Sequence, residues 1–301
     1  MATASDTFER KEKKYLISVA QCEAIKRGLS GRMRLDDYGK SRIDSLYLDT
    51  VDHDLICKSL EKPLYKEKLR IRSYGAFSEA DIVYVEIKKK FKGIVYKRRV
   101  RMSAEGARAY YTGTLSYEDA QKTFPVNQAD AAKDLEPGKI QIARELDAFF
   151  KRHEGLMPAM VISCQREAWC PVAANDGDCV DRITFDEHIN YIDLFEAASV
   201  KRRPVISDDL VVMEIKCAGG YPLWLCDLLA ECGARPRSFS KYGNAYKRVL
   251  AEREDVSVRD CAKSKVVVRG IPRKPAASRR LAFDHPAFSF FRRRKRALAA
   301  S

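Results

Sequence analysis

No two of the nine cysteines are spaced as Cys-x-x-Cys, no run of about 18 apolar residues occurs, and no segment repeats. The missing Cys-x-x-Cys pairs argue against a structural zinc site. The missing apolar run excludes a membrane-spanning helix. The polar N-terminus, from Met1 to Asp6, has no apolar leader ahead of the cysteines. With an odd count, Cys22, Cys57, Cys164, Cys170, Cys179, Cys217, Cys226, Cys232 and Cys261 read as reduced thiols of a cytoplasmic protein, mostly packed as small core residues.

What is present is a large apolar supply and an uneven charge. Hydrophobic residues make up 46% of 301, with 13 Phe and 14 Tyr, enough for a sizeable core and against disorder. The net charge of +14 invites a nucleic-acid reading, but twelve of the 56 basic residues and only one of the 42 acidic ones lie in residues 262–301. The first 261 residues therefore hold 44 basic against 41 acidic side chains, close to balance. The chain divides into a body, 1–261, and a basic tail, 262–301. With its three prolines, the tail is expected to be disordered and is the segment through which nucleic acid or an anionic surface would bind.

Cations in the body are patterned. Lys or Arg recurs on alternate residues in Arg10-x-Glu12-x-Lys14, Lys66-x-Lys68-x-Arg70-x-Arg72, Glu86-x-Lys88-x-Lys90, Lys97-x-Arg99-x-Arg101 and Glu214-x-Lys216. A period of two puts each set on one face of a strand. Cations lining several neighbouring strands repel one another unless an anion lies among them, and a phosphate chain is the simplest occupant. The alternates Leu69, Ile71, Val83, Val85, Ile87, Met213 and Ile215 are apolar and are expected to pack on helices.

Strands are predicted over 8–17, 42–49, 65–74, 81–91, 94–102, 159–169, 180–189 and 210–217. Helices are predicted near 19–30, opened by the capping box Ser18-x-x-Gln21, and near 52–60, 139–153, 222–232 and 241–254. Gly75 and Gly93 mark short turns, which favour antiparallel pairing. Eight antiparallel strands suffice to close a barrel. The predicted fold is α+β: an antiparallel β-barrel with a charged lumen, covered by helices.

In order along roughly residues 8–250, the stretches Phe8–Tyr15, Ser45–Asp49, Lys68–Arg72, Val85–Lys88, Arg182–Asp186, Met213–Lys216 and Ser238–Tyr242 resemble the VTC domain. This is the polyphosphate polymerase module of the superfamily of triphosphate-tunnel enzymes that includes CYTH proteins. The resemblance implies a tunnel that binds ATP and inorganic polyphosphate, and transfer of the γ-phosphate to the chain end with release of ADP. It implies Lys14, Arg70, Arg72, Lys88, Arg166 and Arg182 as the principal phosphate-handling cations. Arg10, Arg42, Lys68, Lys97, Arg99 and Lys216 are further phosphate or nucleotide contacts, the facing of Lys97 and Arg99 being left open. Ser240 and Lys241 open the last helix, where free N–H groups and the dipole favour an anion. Glu214 is the expected ligand of Mn²⁺ or Mg²⁺, with Glu86 either a second ligand or an ion-pair partner.

Three departures from the pattern matter. Arg10 stands where tunnel triphosphatases begin with Glu, which removes a carboxylate and turns the reading from hydrolysis towards transfer. Cys164 stands where the family offers Tyr, and Ser238 where Lys is common. A tunnel-fold triphosphatase and a non-catalytic polyphosphate-binding module are the alternatives. The SPX domain and membrane helices of the fungal complexes are not visible in the sequence.

Overall fold

The computed structural model of the chain describes residues 10–77, 82–92, 94–172, 180–195 and 201–263. In chain order the elements are β1 (Arg10–Ser18), α1 (Val19–Leu29), β2 (Met33–Asp49), α2 (Asp54–Leu60), β3 (Tyr65–Tyr74), β4 (Ile82–Phe91) and β5 (Ile94–Ser103). They continue with α3 (Ala104–Tyr111), α4 (Tyr117–Thr123), α5 (Ala131–Asp134), α6 (Pro137–Arg152), β6 (Met157–Pro171), β7 (Val180–Asp193), β8 (Arg203–Pro204), β9 (Leu210–Ala218), α7 (Leu223–Glu231) and α8 (Lys241–Lys263). The class is α+β with a mostly antiparallel sheet. The tail from 264 onward lies outside the described residues.

Local signals place these elements. Ser18 accepts from the Gln21 backbone while the Gln21 side chain accepts from the Ser18 backbone, so the expected capping box starts α1. Ser103 and Ser116 cap α3 and α4 one way only, their hydroxyls accepting from the Gly106 and Asp119 N–H groups. β2 begins nine residues before the predicted start at 42, because its first half is polar and exposed and carries no apolar alternation. The two-residue β8 was not expected either. No described helix is long and apolar enough to cross a membrane.

Hydrogen bonding orders the strands β1-β9-β7-β6-β2-β3-β4-β5, with β8 on β7. The path is open, which corrects the expected barrel: closure needs the end strands to pair. Each end is protected on its own instead. The Arg237 N–H donates to the Lys14 carbonyl at 2.7 Å and Pro236 bridges Tyr15, so the segment before α8 covers β1. The outer strand β5 carries the exposed cations Lys97, Arg98 and Arg99, which discourage pairing with another edge.

The chain forms two compact units, the first from its described residues up to Arg42 with Ser163–Asn190 and Pro204–Lys241, the second from Ile43–Ile162, Tyr191–Arg203 and the described residues from Tyr242. Each has its own core. In the first, Tyr15, Ile17, Ile183, Phe185, Met213 and Ile215 pack with Cys22, Ile25 and Leu29 of α1 and Leu225 and Leu229 of α7. In the second, Leu69, Ile71, Val83, Val85 and Ile87 are at most 2% exposed and pack with Tyr110, Tyr117, Leu146 and Phe149 from α3, α4 and α6. Each such side chain contributes about 1.5–3 kcal/mol by leaving water. Helices therefore take the apolar faces, as the alternation predicts, and the charged faces are left for a site. No disulfide forms among the described residues; Cys22, Cys164 and Cys217 are buried, whereas Cys226 is exposed.

Candidate functional site

In the second unit, antiparallel register aligns the charged faces into rows. Lys68, Lys88 and Lys97 stand opposite one another on β3, β4 and β5. The next row runs Tyr47, Arg70, Glu86, Arg99, and the one after it Ser45, Arg72, Tyr84, Arg101. Opposed like charges destabilise a strand pair, so these rows need an internal anion or a ligand. Glu86 is that internal anion. It is 1% exposed, and its Oε2 takes Arg70 Nη2 at 2.6 Å and Nε at 2.7 Å. Its Oε1 lies 3.3 Å from Lys97 and 3.7 Å from Arg99, yet accepts no hydrogen bond.

Burial alone would raise the Glu86 pKa, but the charges of Arg70, Arg72 and Lys97 hold it down at about 2. Lys97 is lowered, by its own burial first, with Glu86 opposing and Arg70 and Arg99 adding to the shift. Lys97 and Arg99 thus share the face of Glu86, which resolves their facing. Arg72 is buried, with its Nε 3.4 Å from Ser45 Oγ. Lys68 lies over the Tyr242 ring at 5.9 Å. Arg101 is drawn aside to Asp134 and Asp130 at 2.9 and 3.3 Å.

Sequence reasoning passed over Tyr47. Its hydroxyl lies 3.4 Å from Arg70 Nη1, and its ring stacks on Tyr242 at 4.5 Å. Burial pushes the phenol up, but Arg70, Lys68 and Arg72 overcome this and bring it to about 8. The Tyr242 hydroxyl donates to buried Asp49, whose carboxylate also caps α2 through the Leu55 and Ile56 N–H groups.

In the first unit, Glu12, Lys216 and Arg182 form one row across β1, β9 and β7, and Lys14, Glu214 and Thr184 the next. Glu214 lies 3.7 Å from Lys14 and 3.3 Å from Lys216, and Lys14 is 3.5 Å from Glu12 and 3.4 Å from the Phe239 carbonyl it donates to. Arg182 pairs with Asp36. Arg10 stands opposite Ala218 in the register, its side chain lying outside the described residues, and half-buried Arg42 is on β2. Beside these rows, Asp186 gathers two expected cations. It takes Arg166 Nε and Nη2 at 2.6 and 2.7 Å, and Lys241 Nζ at 2.7 Å.

Asp186 is 1% exposed; burial opposes its ionisation, and Arg166 and Lys241 hold its pKa far below the usual carboxylate range. Lys241 also donates to Cys164 Sγ at 3.0 Å, so the cysteine in the family's tyrosine position touches a candidate phosphate ligand. Burial pushes that thiol up. Ser240 immediately precedes α8. The sequence held a signal for Asp186: it continues the alternation Arg182, Thr184 on β7, whose intervening Ile183 and Phe185 are core.

Fold and site together define an α+β protein with cation rows on the sheet faces opposite its helices. The family model of the VTC domain matches residues 9–250, and the chain belongs to that family. A search among curated proteins gave no match. Among solved structures, a "putative adenylate cyclase" from Bacillus halodurans is 15% identical with a TM-score of 0.38, the match covering 77% of this chain and 95% of that one. One of the same description from Vibrio parahaemolyticus is 12% identical with a TM-score of 0.38, over 80% and 97%. A third, from Hippeastrum, described as having a dominant triphosphatase activity, is 13% identical with a TM-score of 0.38, over 77% and 92%.

Proposed function

We propose that this protein is an ATP-dependent polyphosphate polymerase, transferring the γ-phosphate of ATP to a growing polyphosphate chain and releasing ADP. Membership of the VTC domain family supports the reading. The single observation that carries it is the row pattern: Lys68, Lys88 and Lys97 face one another with Arg70, Arg72 and Arg99 alongside, and Glu86 is the carboxylate among them. A polyanion is the ligand that such a surplus favours.

Phosphoryl transfer asks the protein for alignment and charge neutralisation more than for covalent chemistry. Arg70 and Arg166 are held by carboxylates on their Nε/Nη2 edges, so each guanidinium is oriented before a phosphate arrives. Lys88 adds charge in the second unit, and Lys14, Arg182, Lys216 and Lys241 in the first, Lys as a mobile point charge and Arg as a planar fork.

For Mn²⁺ or Mg²⁺, no group of three or more His, Cys, Asp or Glu among the described residues forms a closed protein cage. The residues fit a hard cation held by one or two carboxylates, with phosphate oxygens completing its shell: Glu214 would hold it, with Glu12 close by across Lys14. A cation held by Glu214 would supply positive charge to offset that of the phosphates.

The test is to incubate purified protein with ATP and Mn²⁺ and follow ADP, free phosphate and long-chain polymer together. ADP with polymer and little free phosphate is expected. Free phosphate without polymer would make it a triphosphatase, and polyphosphate binding without turnover a binding module.

A further inference from the structure

The far end of β3, β4 and β5 differs from the rest of the second unit. On the face that elsewhere forms the core, Tyr65, Phe91 and Ile94 line up in one cross-strand row, and Tyr96 follows in the next. The helices that bury Leu69, Val85 and Ile87 do not cover this end. Leu64 is 72% exposed, Phe91 45%, Ile94 44%, Tyr65 40% and Tyr96 49%. Five large apolar side chains at one hairpin end are more than scattered surface residues account for.

On the same face Glu67 accepts from the Tyr65 hydroxyl at 2.6 Å and is paired with Arg152 and His153; beyond it lysines predominate. Lys66 and Lys90 face each other in the row between these, on the opposite side of the sheet, with Lys66 donating to the Ser59 carbonyl, and Lys92 sits at the hairpin turn with its ammonium 5.5 Å from the Phe91 ring. Lys62 is exposed just before Leu64, and the Lys92 N–H donates to the Leu64 carbonyl, which ties the two turns together. The lysines feel one another: burial lowers the Lys66 pKa first, and the charges of Lys90 and Lys62 lower it further. An apolar tip fringed by lysines complements a surface that is anionic outside and hydrocarbon beneath.

We propose that this hairpin end is a peripheral membrane-docking surface for anionic lipid, inserting Leu64, Phe91 and Ile94 at the headgroup boundary while Lys62, Lys66, Lys90 and Lys92 meet the headgroups. A second copy of the chain is the poorer occupant. Pairing β5 with itself would bring Lys97, Arg98 and Arg99 against their own equivalents, and the apolar residues lie at the strand's end rather than along its edge. The basic tail carries aromatics of its own, Phe283, Phe288, Phe290 and Phe291, so the test has to report from the hairpin itself.

The experiment uses the full chain with vesicles of phosphatidylcholine, alone or carrying about one-third phosphatidylserine. Sedimentation should show binding to the anionic vesicles only. The double variant Phe91→Ser/Ile94→Ser should bind at least about tenfold more weakly, since two apolar side chains no longer leave water. Its ATP turnover should match the parent, showing that the fold is intact. In a separate Phe91→Trp variant, brominated lipid should quench the new indole, which tail binding alone would not produce. Equal vesicle binding by the serine variant, or an unquenched Trp at position 91, overturns the proposal. So does an apolar tip that proves to drive self-association, seen as a lower sedimentation coefficient in the serine variant without any vesicle binding.

Discussion

Each unit buries one carboxylate tightly against arginine, and the first holds another more loosely. In the second, Glu86 is 1% exposed and its Arg70 contacts are 2.6 and 2.7 Å; in the first, Asp186 is equally buried and similarly tight on Arg166 and Lys241. Glu214 is the contrast. Its side chain is 13% exposed, and two lysines lie 3.3 and 3.7 Å from it. A short bidentate arginine contact fixes both partners, whereas a longer lysine contact constrains them less. Under the proposed function, Glu86 and Asp186 would orient cations while Glu214 would hold the metal.

The largest effect expected from this contrast is on turnover. Glu214→Gln should lower polymer formation at least about a hundredfold while leaving polyphosphate retention on a filter nearly unchanged. Equal losses of both would erase the distinction from the other two carboxylates. Arg70→Ala and Arg72→Ala should instead weaken ATP binding and turnover together, in a direct titration and a rate assay on the same samples.

Asp186→Asn should act on stability. Removing one partner of a buried pair costs about 3–5 kcal/mol, because Arg166 and Lys241 are left facing each other without their anion. Urea unfolding measures this, and Glu214→Gln should show a much smaller shift. Glu86 gives the pH version. Its pKa falls from an ordinary 4.5 to about 2, so its contribution, on the order of 3 kcal/mol, is fully present above about pH 4.5 and lost as the pH falls towards 2. Glu86→Gln should flatten that limb of the stability curve.

The smallest effect is spectroscopic. One tyrosine should ionise near pH 8 in an ultraviolet titration, and Tyr47→Phe should remove it. Arg70→Ala should move that step upward, as should bound polyphosphate, since each adds negative or removes positive potential.

Much of this was legible because the period of two is strong where one face is apolar. β3 runs over the predicted residues 65–74, and every apolar alternate named from the sequence is buried. The first half of β2 was not legible: from Met33 to Arg42 the chain is polar and largely exposed, so pairing rather than burial makes it a strand. Site residues written as alternating cations could be read; the face of Asp186 was legible from its alternation with Arg182 and Thr184, but its role, like that of Tyr47, lies in what it touches across strands. Open strand order was equally invisible, since alternation says which face a residue takes and nothing about which strands meet.

The registers of β3, β4 and β5 carry a constraint on how this sequence can change length. Leu69 faces Ile87, Arg70 faces Glu86, and Ile71 faces Val85, so apolar and charged ladders interleave one residue apart. Deleting a single residue from the middle of β4 would exchange the ladders, turning Glu86 towards Tyr110 and Phe149 and Val85 towards the cations. Such a strand cannot shorten by degrees. A substitution alters the contacts of one residue, whereas a length change inside the strand alters every pairing beyond it and fits only at the hairpin ends.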